Sequence, residues 1–141
     1  MTLGFKTKVN GKLTHFVQKI LACVLLEWAE AYVPPKKHTI RHGKRWRAGM
    51  KLHLATGVRT KEYFQFNENI KGLEVCKSVQ DIIITHQGGA MYITVDGKHL
   101  PSDKVYELAI NDGFENVNDF MEWFNTDFEG GQIIHWTDLK Y

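Results

Sequence analysis

Cysteine is scarce in this chain, and its two copies form no recognisable motif. Cys23 and Cys76 lie far apart and belong to no CxxC pair, so the sequence supports neither a zinc ribbon nor a dithiol redox site. We expect both to be small buried apolar residues with no disulfide between them.

Proline is equally scarce, with three copies, two of which are adjacent at Pro34-Pro35. That pair stops any helix that reaches it, because neither ring supplies an amide hydrogen.

Long hydrophobic runs are also missing. No stretch approaches the roughly 18 consecutive apolar residues of a membrane span, and residues 1–12 lack the apolar core of a secretory signal. The chain is nevertheless 43% hydrophobic and 12% aromatic, which is enough for a core. The sequence therefore predicts one cytoplasmic domain over residues 1–141, with no membrane partner.

Metal and phosphate-loop motifs are absent from the sequence. Among the seven histidines, His38 and His42 have helical spacing, but the predicted backbone there is extended and no HExxH or His-Cys set accompanies them. Gly88-Gly89 and Gly130-Gly131 lack the strand-to-helix context and the following lysine of a phosphate-binding loop. We expect no metal site and no cofactor.

The segment from residue 36 to residue 51 contains no acidic residue and is strongly basic. Seven of its residues are Lys or Arg: Lys36, Lys37, Arg41, Lys44, Arg45, Arg47 and Lys51. Their charges would attract phosphate, and the indole of Trp46 offers a flat face on which a base could stack. Because two arginines flank Trp46, we expect this ring to be accessible. The alternative is that the cluster serves solubility and that Trp46 anchors the segment to the core.

Charge is divided unevenly along the chain. Residues 1–61 carry thirteen Lys or Arg against two Glu, a net charge of +11, whereas residues 96–141 carry three Lys against ten acidic residues, a net charge of −7. This asymmetry predicts a basic face that meets nucleic acid and an acidic flank that restricts its approach.

Periodicity predicts a mixture of strands and helices. Apolar alternation and β-branched runs indicate strands over residues 3–9, 39–41, 50–56, 63–66, 73–85, 90–95 and 132–136. Alternation through residues 39–41 places the Thr39 hydroxyl and the Arg41 guanidinium on the same side of a strand.

Apolar spacings of three and four predict a first helix over residues 13–24, which residues 25–33 could continue as far as the proline pair. A second helix is capped by Ser102 and ends near Asn111-Asp112-Gly113, and a third carries Val117 to Phe124. The predicted fold is α+β: a small, mostly antiparallel β-barrel of five or six strands flanked by helices.

Three short motifs carry a resemblance to the ASCH family, a branch of the PUA-like superfamily: Lys36-Lys37-His38-Thr39-Ile40-Arg41, Trp46-x-x-Gly49-Met50-Lys51 and Asp112-Gly113-Phe114. Their order, after an amino-terminal helix, is similar to that of the family over most of the chain. The resemblance implies a PUA-like barrel with a cleft between barrel and helices that binds RNA or modified bases.

One branch of that family resembles an amidohydrolase that removes the acyl group of N4-acetylcytidine with a lysine, a threonine and a carboxylate. The resemblance implies that Lys36 matches the lysine, Thr39 the threonine and Arg41 the arginine that follows. A threonine hydroxyl becomes nucleophilic when a base takes its proton, and a desolvated neutral lysine can be that base.

The carboxylate of this set is less well defined. The family position falls near Asp112, an aspartate where the family has a glutamate. Glu107 and Glu74 stay open as alternatives.

The leading hypothesis is that a basic cleft binds RNA, a nucleotide or a modified nucleoside. Trp46 would stack on a base, Lys36, Thr39 and Asp112 would line the pocket, and the remaining basic residues of the segment would engage phosphate: Lys37, Arg41, Lys44, Arg45, Arg47 and Lys51. The alternatives are hydrolysis of N4-acylated cytidine by Lys36, Thr39 and Asp112, and a protein-interaction module whose acidic carboxy-terminal helices meet a basic partner.

Overall fold

A computed structural model describes residues 1–25 and 34–141, and strands dominate this part of the chain. The strands are β1 (Thr2–Phe5), β2 (Lys8–Val9), β3 (Lys12–Leu13), β4 (His38–His42), β5 (His53–Thr56), β6 (Phe64–Gln65), β7 (Ser78–Gln87), β8 (Ala90–Val95), β9 (Lys98–His99) and β10 (Phe128–His135). The helices are α1 (Phe16–Leu21), α2 (Ser102–Asn111) and α3 (Val117–Trp123). The predicted α+β class is confirmed. The possible continuation of the first helix falls almost wholly on residues outside the described ranges.

The strands form a main sheet and two smaller sheets. The main sheet has five strands in the order β4-β10-β7-β8-β9, and all its neighbouring pairs are antiparallel. A second sheet has the order β1-β5-β6, in which β1 and β5 run parallel, and β2 pairs with β3 as a short hairpin. Mostly antiparallel pairing is therefore confirmed, whereas closure into a PUA-like barrel stays a prediction.

The main sheet separates two hydrophobic cores, because side chains alternate across each strand. One face packs against α2 and α3 and is rich in isoleucine: Ile40, Ile82, Ile84, Ile93, Leu108, Phe120 and Ile133. The other core lies toward β1, β5 and α1 and is rich in aromatic residues: Leu3, Phe5, Trp46, Leu54, Phe66, Ile134 and Trp136.

Element boundaries differ from the predicted ones near the amino terminus. Residues 3–9 do not form one strand, because the turn at Asn10-Gly11 pairs Lys8–Val9 with Lys12–Leu13. Leu13 therefore belongs to β3, and the first helix begins at Phe16, after His15 in a left-handed conformation with φ of 57°. Helix α2 spans Ser102–Asn111 and ends where predicted, but the predicted cap is wrong, because Ser102 is the first residue of the helix and Pro101 occupies the N-cap position.

Two neighbours on β7 test the assignment of sheet faces, since Ile84 is 0% exposed and Ile83 is 41% exposed. We expect Ile84→Ala to lower the free energy of unfolding by about 3 kcal/mol, because it removes most of a side chain from a packed core. Ile83→Ala is the matched control and should cost less than about 1 kcal/mol. Urea unfolding of both variants measures the difference, and equal losses would contradict the register of β7.

Candidate functional site

A cavity of about 740 Å³ lies where β1, the β2–β3 hairpin, the start of α1 and β4 meet residues 112–125. Lys36, Thr39, Arg41 and Asp112 all line it. The structure therefore brings together the three residues predicted as a catalytic set and the arginine that follows them. Lys36 and Asp112 meet here although 76 positions separate them in the chain.

Lys36 is buried, with 2% of its surface exposed, two residues before β4 begins. Its Nζ donates a hydrogen bond to the backbone carbonyl of Asp112 and lies 3.5 Å from Asp112 Oδ1. The same nitrogen lies 4.9 Å from the ring centroid of Phe16 and 5.7 Å from that of Phe5. Burial lowers the pKa of Lys36 to about 8, against the opposing attraction of Asp112. The site thus holds a lysine that is much easier to deprotonate than a surface lysine.

Asp112 lies at the end of α2, where the following glycine allows close packing. Gly113 has a φ of +96°, and a Cβ there would lie 2.9 Å from Lys36 Cδ and 3.0 Å from Phe16 Cε1. Oδ1 of the Asp112 carboxylate lies 3.5 Å from Lys36 Nζ and 3.1 Å from His38 Nδ1. The Asp112-Gly113 pair therefore fixes a carboxylate against the buried amine.

Thr39 and Arg41 point to the same side of β4, as their alternation predicts. Arg41 Nε donates to Thr39 Oγ1 at 3.3 Å, and Arg41 Nη2 donates to the carbonyl of Gly4 at 2.6 Å. The guanidinium carbon lies 5.2 Å from the ring centroid of Phe5. Burial lowers the pKa of Arg41, and the nearby Asp112 opposes this shift. A hydroxyl and a cation therefore meet at one wall of the cavity.

Neither alternative carboxylate belongs to this site. Glu107 lies on α2 and forms an ion pair with Lys104, with 3.0 Å between Nζ and Oε2. Glu74 is exposed, and among the described residues that line the cavity neither glutamate is present. Asp112 is thus the candidate carboxylate that the fold brings to Lys36 and Thr39.

The rest of the basic segment lies elsewhere. Among the described cavity-lining residues, none of its other cationic members is found: Lys37, Lys44, Arg45, Arg47 and Lys51. Lys37 is half-buried, and the others are exposed. Lys44 forms an ion pair with Asp81, with 3.0 Å between Nζ and Oδ1. The segment therefore divides into two cavity residues, Lys36 and Arg41, the half-buried Lys37 outside the cavity, and a solvated part beyond β4.

The prediction that Trp46 is accessible is wrong, because the ring is only 2% exposed. The side-chain amide of Gln132 accepts from the backbone nitrogen of Trp46 at 3.1 Å and donates to its carbonyl at 3.2 Å. The guanidinium carbon of Arg45 lies 4.7 Å from the centre of the indole ring. Trp46 therefore anchors the segment to the core, and it does not line the cavity.

Aromatic rings form much of the remaining cavity wall, and sequence reasoning did not assign them there. Phe5, Phe16, Phe114 and Trp123 all line the cavity, and Trp123 is 51% exposed. Their sequence pattern gives no signal for this role, because an aromatic residue on an apolar stripe has the same spacing whether it fills a core or borders a cavity.

Acidic and basic side chains balance in this cavity. Four basic residues line it, Lys6, Lys12, Lys36 and Arg41, and four acidic ones, Asp112, Glu115, Asp119 and Glu122. Glu115 also pairs with the buried Lys19, with 2.7 Å between Nζ and Oε1. The formal charge of the lining therefore cancels, unlike that of the basic segment as a whole.

Residues 1–25 and 34–141 contain no cluster of three or more His, Cys, Asp or Glu arranged to hold a metal ion. None of the helices described there is both long and apolar enough to span a membrane. Cys23 and Cys76 are free thiols.

The fold and the site together define an α+β domain with a ligand-sized cavity lined by buried polar groups and aromatic rings. Comparison of the chain with protein-family models, with curated proteins and with solved structures finds no match. The side chains of the cavity are therefore the main indication of what the protein binds.

The pKa of Lys36 predicts how stability changes with pH. The unfolded lysine titrates near 10.5 and the folded one near 8, so between these values the unfolded chain binds a proton that the folded chain has released. Wild-type stability relative to Lys36→Met should therefore rise from about pH 8 to about pH 10.5, by at most about 1.4 kcal/mol per pH unit.

Urea unfolding of both proteins across this pH range measures that difference. Comparison with Lys36→Met is needed because burial raises the pKa of both Tyr141 and Cys23, which makes stability fall as pH rises in the same range. A difference that does not change with pH would show that Lys36 titrates like an exposed lysine.

Proposed function

We propose that this chain is an ASCH-like domain of PUA-like architecture that binds a nucleoside or mononucleotide in the cavity. The observation that carries the proposal is the convergence of Lys36, Thr39, Arg41 and Asp112 on one cavity of about 740 Å³. Pockets for small ligands generally occupy roughly 300–1,000 Å³, so the volume suits a nucleoside.

The chemistry of the lining also fits a nucleobase. Phe5, Phe16 and Trp123 supply aromatic surface for the faces of a planar base. Lys36 and Arg41 supply hydrogen-bond donors, and the oxygens of Asp112 supply acceptors, for the polar edge of that base. Such a combination of apolar walls and a few convergent polar groups is typical of specific small-molecule sites.

The charge balance favours a small ligand over a long nucleic acid. Equal numbers of basic and acidic residues line the cavity, and Asp119 and Glu122 are exposed. A phosphate chain passing this site would meet carboxylates as well as cations, so it would gain little from counterion release. RNA binding would instead have to use the exposed cations beyond β4, such as Arg45 and Arg47.

Binding of cytidine and N4-acetylcytidine, measured by isothermal titration calorimetry, tests the proposal. Thr39→Val is nearly isosteric and removes one hydroxyl, so we expect about a tenfold loss of affinity. Arg47→Ala should bind both nucleosides as the wild type does, and the affinity should change little with salt.

A short RNA titrated in parallel tests whether binding occurs in the cavity or at the exposed cations beyond β4. Binding that falls steeply with salt and is lost in Arg47→Ala, without any nucleoside binding, would contradict the cavity proposal.

A second candidate function is hydrolysis of the acyl amide of N4-acylated cytidine. It is favoured by Lys36, whose lowered pKa of about 8 leaves roughly one molecule in ten with a neutral amine at pH 7. An ordinary lysine would be neutral in fewer than about one molecule in a thousand. Because Arg41 Nε donates to Thr39 Oγ1, the hydroxyl proton of Thr39 stays available to a base.

In the proposed reaction, Lys36 takes the proton of the Thr39 hydroxyl while Oγ1 bonds to the acyl carbon. The bond from that carbon to N4 breaks, the proton passes from Lys36 to the departing amine, and the acyl group stays on Thr39 as an ester. Water then bonds to the acyl carbon, a proton returns to Oγ1 through Lys36, and a carboxylic acid leaves. Asp112 holds the amine of Lys36 in place throughout.

Turnover of N4-acetylcytidine, followed by release of cytidine and acetate, tests this second function. Thr39→Val and Lys36→Met should each lower kcat by at least about 100-fold, and the wild-type rate should rise with pH up to about 8. Lys98→Met changes an exposed lysine on β9 and is the matched control, with an unchanged rate expected. Turnover that survives both cavity substitutions would exclude this mechanism.

A further inference from the structure

We infer that His38 and Tyr141 are positioning residues of the site: the Tyr141 hydroxyl holds the His38 ring at Nε2, and the Nδ1–H of that ring holds the Asp112 carboxylate beside Lys36. His38 Nδ1 lies 3.1 Å from Asp112 Oδ1, and His38 Nε2 lies 2.6 Å from the Tyr141 hydroxyl. The described cavity lining includes neither residue, so they act from behind it. Their effect on a ligand rests on the proposed function, whereas the hydrogen bonds of the ring do not.

The proton positions follow from the partners of each ring nitrogen. His38 is 0% exposed, and burial lowers its pKa, so the ring is neutral at pH 7 with one donor and one acceptor nitrogen. A carboxylate can only accept, so Nδ1 carries the hydrogen that faces Asp112. Nε2 is then an acceptor and requires a donor, which the Tyr141 hydroxyl supplies.

The donor chain continues behind Tyr141. Asn111 Nδ2 donates to the Tyr141 oxygen at 3.1 Å, and burial raises the pKa of Tyr141, which keeps its hydroxyl protonated. Hydrogen bonds therefore run in one direction from Asn111 through Tyr141 and His38 to Asp112. Each donor in this chain specifies the orientation of the next group.

Tyr141 is itself held at both of its backbone polar atoms. Its N–H donates to Gln80 Oε1 at 2.9 Å, and Gln80 Nε2 donates to its backbone oxygen at 2.8 Å. The rings of His38 and Tyr141 meet edge to face, with 5.4 Å between their centroids. A residue held in this way is suited to act as a fixed reference for the His38 ring.

Loss of the Tyr141 hydroxyl should reach the cavity through His38. Without that donor, Nε2 is left unpaired in a buried position, and the ring keeps a partner at Nδ1 alone. The tautomer does not change, because a hydrogen on Nε2 would have no acceptor and a bare Nδ1 would face the Asp112 carboxylate. The ring is then less firmly held, Asp112 shifts with it, and the ligand loses an ordered acceptor.

The ¹⁵N chemical shifts of the His38 ring at pH 7 test the tautomer directly. We expect a protonated Nδ1 in the wild type and in Tyr106→Phe, a matched control because Tyr106 is 56% exposed on α2. Tyr141→Phe should keep Nδ1 protonated and move the Nε2 signal toward that of a ring nitrogen that accepts no hydrogen bond. A protonated Nε2 in the wild type, or an unchanged Nε2 signal in Tyr141→Phe, would overturn the inference.

Cytidine affinity tests whether the hydrogen bonds of Tyr141 and His38 position the Asp112 carboxylate for a ligand. Tyr141→Phe should lose about tenfold in affinity and Tyr106→Phe none. His38→Asn keeps a donor near the position of Nδ1 and should retain affinity within about threefold, whereas His38→Leu should lose more than about tenfold.

An Nε2 signal that changes in Tyr141→Phe while affinity does not would overturn the positioning role. If the wild type binds no nucleoside, the proposed function fails, but the ring shifts still decide whether Tyr141 holds the His38 ring.

Discussion

Burial of the Lys36 ammonium group is the constraint on which the surrounding structure depends, because an unpartnered buried charge is strongly destabilising. Its amine is satisfied by Asp112 at the end of α2, its N–H by the carbonyl of Lys19 in α1, and its carbonyl by the indole nitrogen of Trp136. One residue thus joins α1, α2 and the residue that follows β10. The buried environment that satisfies the charge of Lys36 also makes its proton easier to remove. The cavity therefore contains an amine that can act as a base.

The cavity exists because two sheet edges approach each other without pairing along their backbones. β4 is an edge of the main sheet and β1 is an edge of the smaller sheet. Arg41 spans the gap, with its guanidinium on the carbonyl of Gly4 and over the ring of Phe5. A side chain in this position keeps the edges apart and gives the intervening space both a cation and an aromatic wall.

Local pattern predicted those parts of the structure that local chemistry determines. The end of helix α2 follows from the glycine after it, and the shared orientation of Thr39 and Arg41 follows from strand alternation. Lys36 and Asp112 were selected by resemblance, because nothing in their spacing brings them together. The prediction that Trp46 is accessible was wrong because the residue that holds its backbone, Gln132, lies 86 positions away in the chain. Tyr141 gave no signal, since its contact with His38 spans 103 positions. Sequence periodicity is local and cannot predict which side chains pair across long stretches of the chain.

In the proposed function, a nucleoside occupies the cavity and not the solvated part of the basic segment. The most direct test is an NMR titration of the ¹⁵N-labelled protein with N4-acetylcytidine, followed through the backbone amides. We expect saturable shifts at Thr39, Arg41 and Gly113, with the amides of Gly43 and Gly49 unmoved. Shifts confined to residues 43–51 would contradict it.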